Sequence, residues 1–152
     1  MHRYTIRVRY ADTDRMGWAY YGEYFRWFEI GRAEMLRALG RSYREIEEDV
    51  GVMLPVRAAR CRYLRGARYD DALVIETGVV SRSRAGVVFA YRIVPEGGGG
   101  PHAVGITEHF FMTPAGQPVR SAPAVDELLE RAPLAPPELV AMVDGPASAT
   151  RP

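Results

Sequence analysis

The chain has no lysine, a single cysteine and no long apolar run, and each shortage excludes a class of protein. Because Cys61 is alone, no intrachain disulfide can form, so a disulfide-stapled scaffold is excluded and a cytoplasmic location is expected. No stretch approaches the roughly 18 apolar residues that identify a membrane-spanning helix. The N-terminus enters an alternating pattern at once, without the apolar region of a signal peptide. We therefore expect no membrane association.

The balance of charges argues against a nucleic-acid-binding role. Twenty basic residues, all of them arginine, stand against 19 acidic residues, and the formal net charge is +1. A phosphate-binding site in this chain would have to use guanidinium or backbone N–H groups. The length of 152 residues fits one domain.

The periodicity of apolar residues predicts first one strand and then one long helix. Residues 4–10 alternate with period two, which predicts a half-buried strand. Residues 22–39 carry apolar side chains at spacings of three and four, which predicts a helix with a broad apolar stripe that stops at Gly40. Ser42 and Glu45 have the spacing of a capping box, which predicts a second, short helix.

Four further strands are predicted, over 52–64, 72–81, 87–94 and 103–113. A change of parity in the first of them indicates a bulge near Ala58. The links 65–71, 82–86 and 95–102 have the composition of hairpin connections, which favours an antiparallel sheet. A single striped helix must be covered by that sheet. The predicted fold class is therefore α+β, with a sheet curled around a central helix.

The C-terminal part of the chain divides at about residue 132. Residues 123–131 have the pattern of a short helix. Residues 133–152 are rich in proline and alanine, which predicts an arm or a disordered tail. We therefore assign one domain to residues 1–132.

The segment that joins the first strand to the long helix carries two carboxylates. Asp12 and Asp14 continue the parity of the strand, so both would face the helix-covered side if the strand ran straight. Burying a carboxylate there would raise the free energy of the fold, so we expect such a group to be hydrogen-bonded or catalytic. The free N–H groups at the start of the helix would polarise a carbonyl bound there. Asp14 could attack that carbonyl or activate a water to attack it.

Two alternatives to catalysis exist for this segment. An aspartate before a helix often serves as a cap or a turn residue. A metal site would need further ligands, and no histidine, cysteine or third carboxylate stands near Asp12 and Asp14 at ligand spacing. We therefore expect no metal.

The motif of this segment resembles a known family. Tyr10-x-Asp12-Thr13-Asp14-x-x-Gly17-x-x-Tyr20-Tyr21-x-x-Tyr24, followed by Arg32-Ala33-Glu34, is similar to the signature of the 4-hydroxybenzoyl-CoA thioesterase-like hotdog family. Within that family the chain resembles the YbgC-like acyl-CoA thioesterase branch. The later Ala67-Arg68-Tyr69-Asp70-Asp71 and Arg82-Ser83-Arg84 add to the resemblance, which covers about residues 3–131.

The resemblance implies a hotdog fold and an enzyme. An antiparallel sheet of five to six strands would wrap around one long central helix, and the sheets of two subunits would join in a dimer. Such dimers often pair into a homotetramer, and the active site lies at the subunit interface. The implied enzyme is a thioester hydrolase that splits acyl-CoA into a carboxylic acid and free CoA. CoA is then part of the substrate, and no cofactor is expected.

The resemblance also implies roles for individual residues. Asp14 matches the catalytic aspartate, acting as nucleophile or general base. The Tyr21 backbone N–H would help to hold the thioester oxygen, and Gly17 would let the loop pass close to the substrate. Many YbgC-like members have histidine where this chain has Tyr21. Because a phenol is a weaker base than an imidazole at neutral pH, only the backbone role is carried over.

Substrate contacts are expected from two further groups of residues. Trp18 and Tyr24 are expected to shape the acyl pocket, with burial in the core as the alternative. Arg82, Ser83 and Arg84 are expected to bind the CoA phosphates from a hairpin, with solvated arginines as the alternative. Arg68, beside two aspartates, fits turn chemistry better than ligand contact.

Other polar residues fit structural roles. Cys61 has the parity of an apolar strand face, which favours a small buried residue over a nucleophile. Glu108 and His109 are neighbours on a strand, so they point to opposite faces, and Glu108 is expected to meet an arginine.

Two other functions remain as alternatives to hydrolysis. The first is a non-catalytic acyl-CoA binding or sensing module on the same fold. The second is a hotdog dehydratase, which is disfavoured because no Asp/His pair of the dehydratase type is visible in the sequence.

Overall fold

The computed structural model describes residues 1–145, and its elements follow the order predicted from apolar periodicity. The strands are β1 His2–Arg7, β2 Val56–Tyr63, β3 Ala72–Ser83, β4 Gly86–Pro95 and β5 Ala103–Phe110. The helices are α1 Glu23–Ala38, α2 Tyr43–Glu45, α3 Pro123–Glu130 and α4 Pro137–Asp144. A short 3-10 turn, Tyr10–Asp12, precedes α1, and a π-helical turn, Ile46–Val50, follows α2.

Within the described residues, the five strands form one antiparallel sheet in the order β1-β3-β4-β5-β2. A register shift between Val56 and Ala58 confirms the predicted bulge. The expected α+β class, a five- to six-stranded antiparallel sheet around one long helix, is also confirmed. The capping box is present, since Ser42 accepts from the Glu45 N–H and the Glu45 carboxylate accepts from the Ser42 N–H.

One predicted hairpin was wrong. β2 pairs with β5 and not with β3, so residues 65–71 cross from one edge of the sheet towards the other. The composition of a link reports a turn but not the partner of the next strand, and that partner is chosen by closure of the sheet around α1. The links within 82–86 and 95–102 do join paired neighbours, as predicted.

The first strand is shorter than predicted. It ends at Arg7 rather than at Tyr10, because the 3-10 turn bends the chain before the parity can continue. Tyr10 is consequently 81% exposed, whereas Val8 is fully buried.

α1 lies close against one face of the sheet because two glycines remove side chains from the contact. A Cβ added at Gly31 would come within 2.5 Å of the side chains of Ile75 and Thr77. A Cβ added at Gly105 would overlap the ring of Phe28. Full burial of each large apolar side chain in this layer stabilises the fold by about 1.5–3 kcal/mol. The fully buried side chains here include Phe28, Met35, Leu36, Ile75, Phe89 and Ile93.

A chain of hydrogen bonds runs through the buried layer between α1 and the sheet. Arg32 Nη1 donates to Tyr91 Oη at 3.1 Å, and Tyr91 Oη lies 2.7 Å from Thr107 Oγ1. His109 Nε2 lies 2.8 Å from Thr107 Oγ1, and its Nδ1 lies 2.8 Å from the Leu54 carbonyl. Because a carbonyl only accepts, Nδ1 carries the proton, Thr107 donates to Nε2, and Tyr91 donates to Thr107. Burial, followed by the nearby Arg32 charge, lowers the pKa of His109 to about 4.

The chain after α3 returns to the sheet. The Val79 N–H donates to Pro133 O at 2.9 Å, and the Ala135 N–H donates to Val79 O at 2.8 Å. Leu139 of α4 is 2% exposed and packs on the sheet face opposite α1. Its buried partners are Ala90, Val104 and Ile106. The segment predicted as an arm or a disordered tail thus contains a packed helix, and residues 146–152 lie outside the described residues.

No helix within residues 1–145 combines the length and the apolar character needed to cross a membrane.

Candidate active site

An ion pair between the exposed Arg9 and the buried Asp12 directs the chain from β1 into α1. The Arg9 side chain donates to Asp12 at 2.6 Å, and the Arg9 backbone N–H donates to the same carboxylate at 2.8 Å. Arg26 of α1 adds a contact at 3.9 Å. Burial acts to raise the pKa of Asp12, but the hydrogen bonds from Arg9 outweigh it and lower the pKa below its usual value. Asp12 therefore fastens the 3-10 turn to the helix.

Asp14 stands in a tight turn that follows. The Asp14 N–H donates to Trp18 O at 2.8 Å, and the Gly17 N–H donates to Asp14 O at 3.0 Å. The Met16 N–H donates to Asp14 Oδ1 at 2.8 Å, which orients the carboxylate. Gly17 has φ +78°, a backbone conformation that favours glycine, and a Cβ there would meet no atom within 4 Å. Gly17 thus serves the turn through its backbone, and its closeness to substrate stays a prediction.

A cleft of about 340 Å³ opens beside the Asp14 carboxylate. Its lining includes Asp14, Met16, Trp18, Tyr21, Tyr24 and Tyr63. Asp14 is half-buried, Trp18 is 38% exposed and Tyr24 is 2% exposed. The fold therefore brings together four residues that the sequence predicted as site residues, Asp14, Trp18, Tyr21 and Tyr24. The cleft has the size that small ligands occupy.

Tyr21, just before the start of α1, lines the same cleft. Within the described part of the chain, the N–H groups of Tyr21 and Gly22 donate to no protein acceptor. The Tyr63 hydroxyl donates to Tyr21 O at 3.0 Å and so fixes the peptide that leads into the helix. Burial raises the pKa of Tyr63, which keeps this hydroxyl a donor. Free N–H groups at a helix start attract developing negative charge.

The crossing segment 65–71 builds the opposite wall of the cleft. The Ala19 N–H donates to Ala67 O at 2.8 Å, which ties this segment to the Asp14 turn. A hydrogen bond from the Ala67 backbone reaches Tyr24, whose pKa is nevertheless raised, chiefly by burial. A Cβ at Gly66 would lie 2.6 Å from the Trp18 indole, so a glycine is needed where the wall meets the ring.

The predicted CoA-binding hairpin lies at the other end of β3. Arg82 Nη1 donates to Glu130 at 3.1 Å, and Ser83 Oγ accepts from the Ala85 N–H at 3.3 Å. β3 has 12 residues, and a strand rises about 3.3 Å per residue, so the hairpin is far from the segment that enters β3 beside the cleft. Arg82, Ser83 and Arg84 therefore do not join Asp14 within one chain, and their role in substrate binding stays a prediction.

The other polar candidates occupy structural positions. Burial raises the pKa of Cys61 to about 11, which leaves the thiol protonated and a poor nucleophile. Arg60 meets Glu108 at 3.4 Å, as expected, and His109 faces the buried side of the same strand. Among residues 1–145, no three His, Cys, Asp or Glu side chains lie close enough together to hold a metal ion.

Two residues of the site were not identified in the sequence. Tyr63 shares the parity of Cys61 on β2, and that parity was a usable signal for a tyrosine on the strand face that carries Cys61. Arg65 lines the cleft directly after β2, but nothing local distinguishes it from other arginines. Its position depends on the crossing of the 65–71 segment.

The fold and this site together define a hotdog-type protein with a carboxylate at the start of its central helix. Residues 8–142 match the model of the thioesterase-like superfamily, and the chain belongs to that family. The predicted resemblance to hotdog thioesterases is therefore confirmed.

Individual relatives support the same family. YbgC of Escherichia coli, named an acyl-CoA thioester hydrolase, is 36% identical over 94 residues, which are 62% of this chain and 69% of that protein. YneP of Bacillus subtilis is 34% identical over 88 residues, which are 58% of this chain and 63% of YneP, so the chain spans less than two thirds of that relative. Thioester hydrolase, the enzyme class predicted from the sequence, is the class in which YbgC is named.

Solved structures agree with the sequence relatives. The DHNA-CoA thioesterase of Staphylococcus aureus superimposes with a TM-score of 0.78 at 28% identity, over 95% of each chain. A hypothetical protein from Aquifex aeolicus gives a TM-score of 0.78 at 31% identity, over 85% of this chain and 99% of that chain.

Proposed function

We propose that this protein is an acyl-CoA thioesterase that hydrolyses a thioester to a carboxylic acid and free CoA, using Asp14 and the start of α1. One observation carries the proposal: the half-buried Asp14 carboxylate lines one cleft together with Tyr21, whose N–H donates to no protein acceptor within the described residues. The names of the relatives supply the substrate class, since YbgC is named as acting on acyl-CoA.

Thioester hydrolysis requires a group that stabilises the developing oxyanion and a group that supplies or activates the nucleophile. The N–H groups of Tyr21 and Gly22 would accept the negative charge that develops on the carbonyl oxygen. Asp14 would either attack the carbonyl carbon or remove a proton from an attacking water. In both routes the C–S bond breaks, the sulfur leaves as the CoA thiolate and takes up a proton, and water supplies the oxygen of the new carboxylate.

The orientation of Asp14 suits either route. Oδ1 accepts from the Met16 N–H, and in the part of the chain described here Oδ2 has no protein donor. One oxygen is thus fixed while the other is available to the substrate or to a water. The exposed Tyr21 side chain is not needed in this scheme, because the backbone N–H performs the binding.

The test is release of free thiol from a panel of aromatic, short-chain and long-chain acyl-CoA thioesters. We expect the wild type to hydrolyse at least one of them and Asp14→Asn to lower kcat by at least about 100-fold, the range of general acid–base and nucleophilic contributions. Asp49→Asn is the matched control, because this exposed aspartate lies beyond the far end of α1. Equal rates for wild type and Asp14→Asn would refute the role of Asp14. Saturable binding without turnover by the wild type would favour the acyl-CoA binding or sensing alternative.

A single-turnover experiment separates the two routes. If Asp14 is the nucleophile, rapid quenching followed by mass spectrometry should reveal an acyl group on the peptide that contains Asp14. If Asp14 is a general base, no covalent species should accumulate, and the new carboxylate should take its oxygen directly from solvent.

We also propose that the protein works as a homodimer, with dimers able to pair into a tetramer. β2 is an edge strand of the sheet, and the apolar side chain of Val56 at its start is exposed. Such an edge is a ready template for pairing with the same strand of a second chain. Sedimentation analysis should give at least twice the chain mass of 17.0 kDa. A mass equal to one chain would contradict this proposal. The cytoplasmic location stays a prediction.

A further inference from the structure

A second cavity adjoins the Asp14 cleft and carries positive charge. It has a volume of about 390 Å³ and shares Trp18, Arg65 and Gly66 with the cleft. Arg68 and His102 line it as well, and Asp71 supplies a carboxylate at its rim. A ligand that extends from the Asp14 cleft past Trp18 would therefore enter this cavity, which we call the arginine cavity.

Arg65 is held in the arginine cavity by neutral partners. Its Nη2 donates to Gly100 O at 3.0 Å and lies 3.3 Å from His102 Nε2. His102 Nδ1 lies 3.1 Å from Gly66 O, which fixes the ring proton on Nδ1 and leaves Nε2 to accept from Arg65. The guanidinium is thus held in place by neutral groups, and within the described residues its positive charge is not paired with a carboxylate.

Arg68 is held in a similar way. Its guanidinium carbon lies 4.0 Å from the centre of the Trp18 ring, a cation–π contact that orients the side chain. The Asp71 carboxylate accepts from the Arg68 backbone N–H at 2.8 Å, so this carboxylate serves the turn and not the guanidinium.

These two arginines differ from Arg82 in ion pairing. Within residues 1–145, neither Arg65 nor Arg68 forms an ion pair, whereas Arg82 of the predicted CoA-binding hairpin is paired with Glu130. Two preoriented guanidinium groups without counterions, beside a site for an acyl thioester, match the chemistry of phosphate groups.

We infer that Arg65 and Arg68 bind the phosphate groups of the CoA end of the substrate, in the arginine cavity of the same chain that supplies Asp14. The inference rests on the proposed function, because it assumes that the ligand of the Asp14 cleft is a CoA thioester. It assigns to the 65–71 segment the phosphate contact that the sequence placed at residues 82–84.

The experiment measures binding of free CoA and of pantetheine, which lacks the phosphates, by titration calorimetry. We expect Arg65→Gln and Arg68→Gln each to weaken CoA binding roughly tenfold, the effect of losing one charge-assisted hydrogen bond, and to leave pantetheine binding unchanged. Arg44→Gln is the matched control, since this exposed arginine lies on α2, beyond the far end of α1. Quenching of Trp18 fluorescence by CoA should be reduced in Arg68→Gln, and circular dichroism should show that all variants are folded.

The outcomes separate this inference from the proposed function. Wild-type affinity for CoA in both arginine variants, or equal losses for CoA and pantetheine, would overturn the inference even if the enzyme hydrolyses thioesters. Absence of CoA binding by the wild type would overturn it as well. Phosphate-dependent CoA binding through Arg65 and Arg68, without hydrolysis of any acyl-CoA, would support the inference while the proposed function fails.

Discussion

Two aspartates separated by one residue occupy different environments, and the environment decides which of them can react. Asp12 is 1% exposed and its carboxylate is occupied by donors from Arg9. Asp14 has one oxygen fixed by the Met16 N–H and opens onto the cleft. A carboxylate saturated with donors is a poor base and a poor nucleophile, so of the two residues Asp14 is the one suited to the proposed chemistry.

At this scale we expect Asp12→Asn to lower stability and Asp14→Asn to leave it almost unchanged. Replacing Asp12 weakens charge-assisted hydrogen bonds to Arg9 in a buried position, which costs about 1.5–3 kcal/mol. Asp14→Asn removes little burial, so the free energy of unfolding should change by no more than about 0.5 kcal/mol. Urea unfolding measures the change in the free energy of unfolding for each of the two variants. An unchanged midpoint for Asp12→Asn would show that its carboxylate is dispensable to the fold.

The central element of the molecule is α1, whose distance from the sheet is set by residues without side chains. Gly105 on β5 accommodates the ring of Phe28, and Gly31 on α1 accommodates Ile75 and Thr77. Tyr21, which lines the cleft, stands just before this helix, so the depth of the helix in the sheet would also position the proposed oxyanion site.

Gly105→Ala should therefore destabilise the fold by forcing Phe28 and α1 away from the sheet. Overpacking of this kind costs about 1–3 kcal/mol. Gly97→Ala is the control, because a Cβ at Gly97 would meet no atom within 4 Å. Thermal unfolding should show a lower Tm for Gly105→Ala and an unchanged Tm for Gly97→Ala. Equal Tm values for the two variants would mean that the helix can shift at no cost.

The hydrogen-bond chain from Arg32 to Leu54 makes stability dependent on pH through His109. The folded pKa is about 4 against a usual value of 6.5, so between these values the unfolded chain binds a proton that the folded chain does not. Stability is therefore lost as the pH falls through this range, by about 2 kcal/mol between pH 7 and pH 5.

Urea unfolding at the two pH values, in wild type and His109→Asn, measures this contribution. The variant is expected to be less stable at pH 7, because it interrupts the chain of hydrogen bonds, but to lose less stability on acidification. An identical pH dependence in both proteins would show that His109 does not contribute.

At the scale of the whole molecule, the chain covers the outer face of its own sheet. Leu139 of α4 packs on Ala90, Val104 and Ile106, and the preceding segment bonds to Val79. This face is therefore occupied by the protein's own helix over part of its area. An oligomer would have to use the surfaces that α4 leaves open, among them the β2 edge.

Leu139→Ala tests whether α4 contributes to global stability. Removal of a buried leucine side chain costs about 2 kcal/mol or more. Met142→Ala on the same helix is the control, since Met142 is 37% exposed. The free energy of unfolding from urea titrations should fall for Leu139→Ala and change little for Met142→Ala. Equal small effects would mean that α4 is docked without stabilising the fold.

Much of this protein was determined by local sequence. Period-two and period-3.6 apolar patterns depend only on backbone geometry, so they predicted the five strands, α1 and α3 to within a few residues. The bulge near Ala58 and the Ser42 capping box also follow from neighbouring residues alone. The motif around Asp14, with its family resemblance, selected the residues that the cleft brings together.

Tertiary structure decided what depends on partners far apart in the chain. Local patterns cannot state which strand pairs with which, so the pairing of β2 with β5 and the crossing of residues 65–71 were not predicted. The pairing of β2 places Tyr63 in the Asp14 cleft, and the crossing places Arg65 and Arg68 beside Trp18, and no spacing in the sequence encodes their closeness. The packing of α4 was not predicted either, because its apolar side chains have a partner only on the outer face of the assembled sheet.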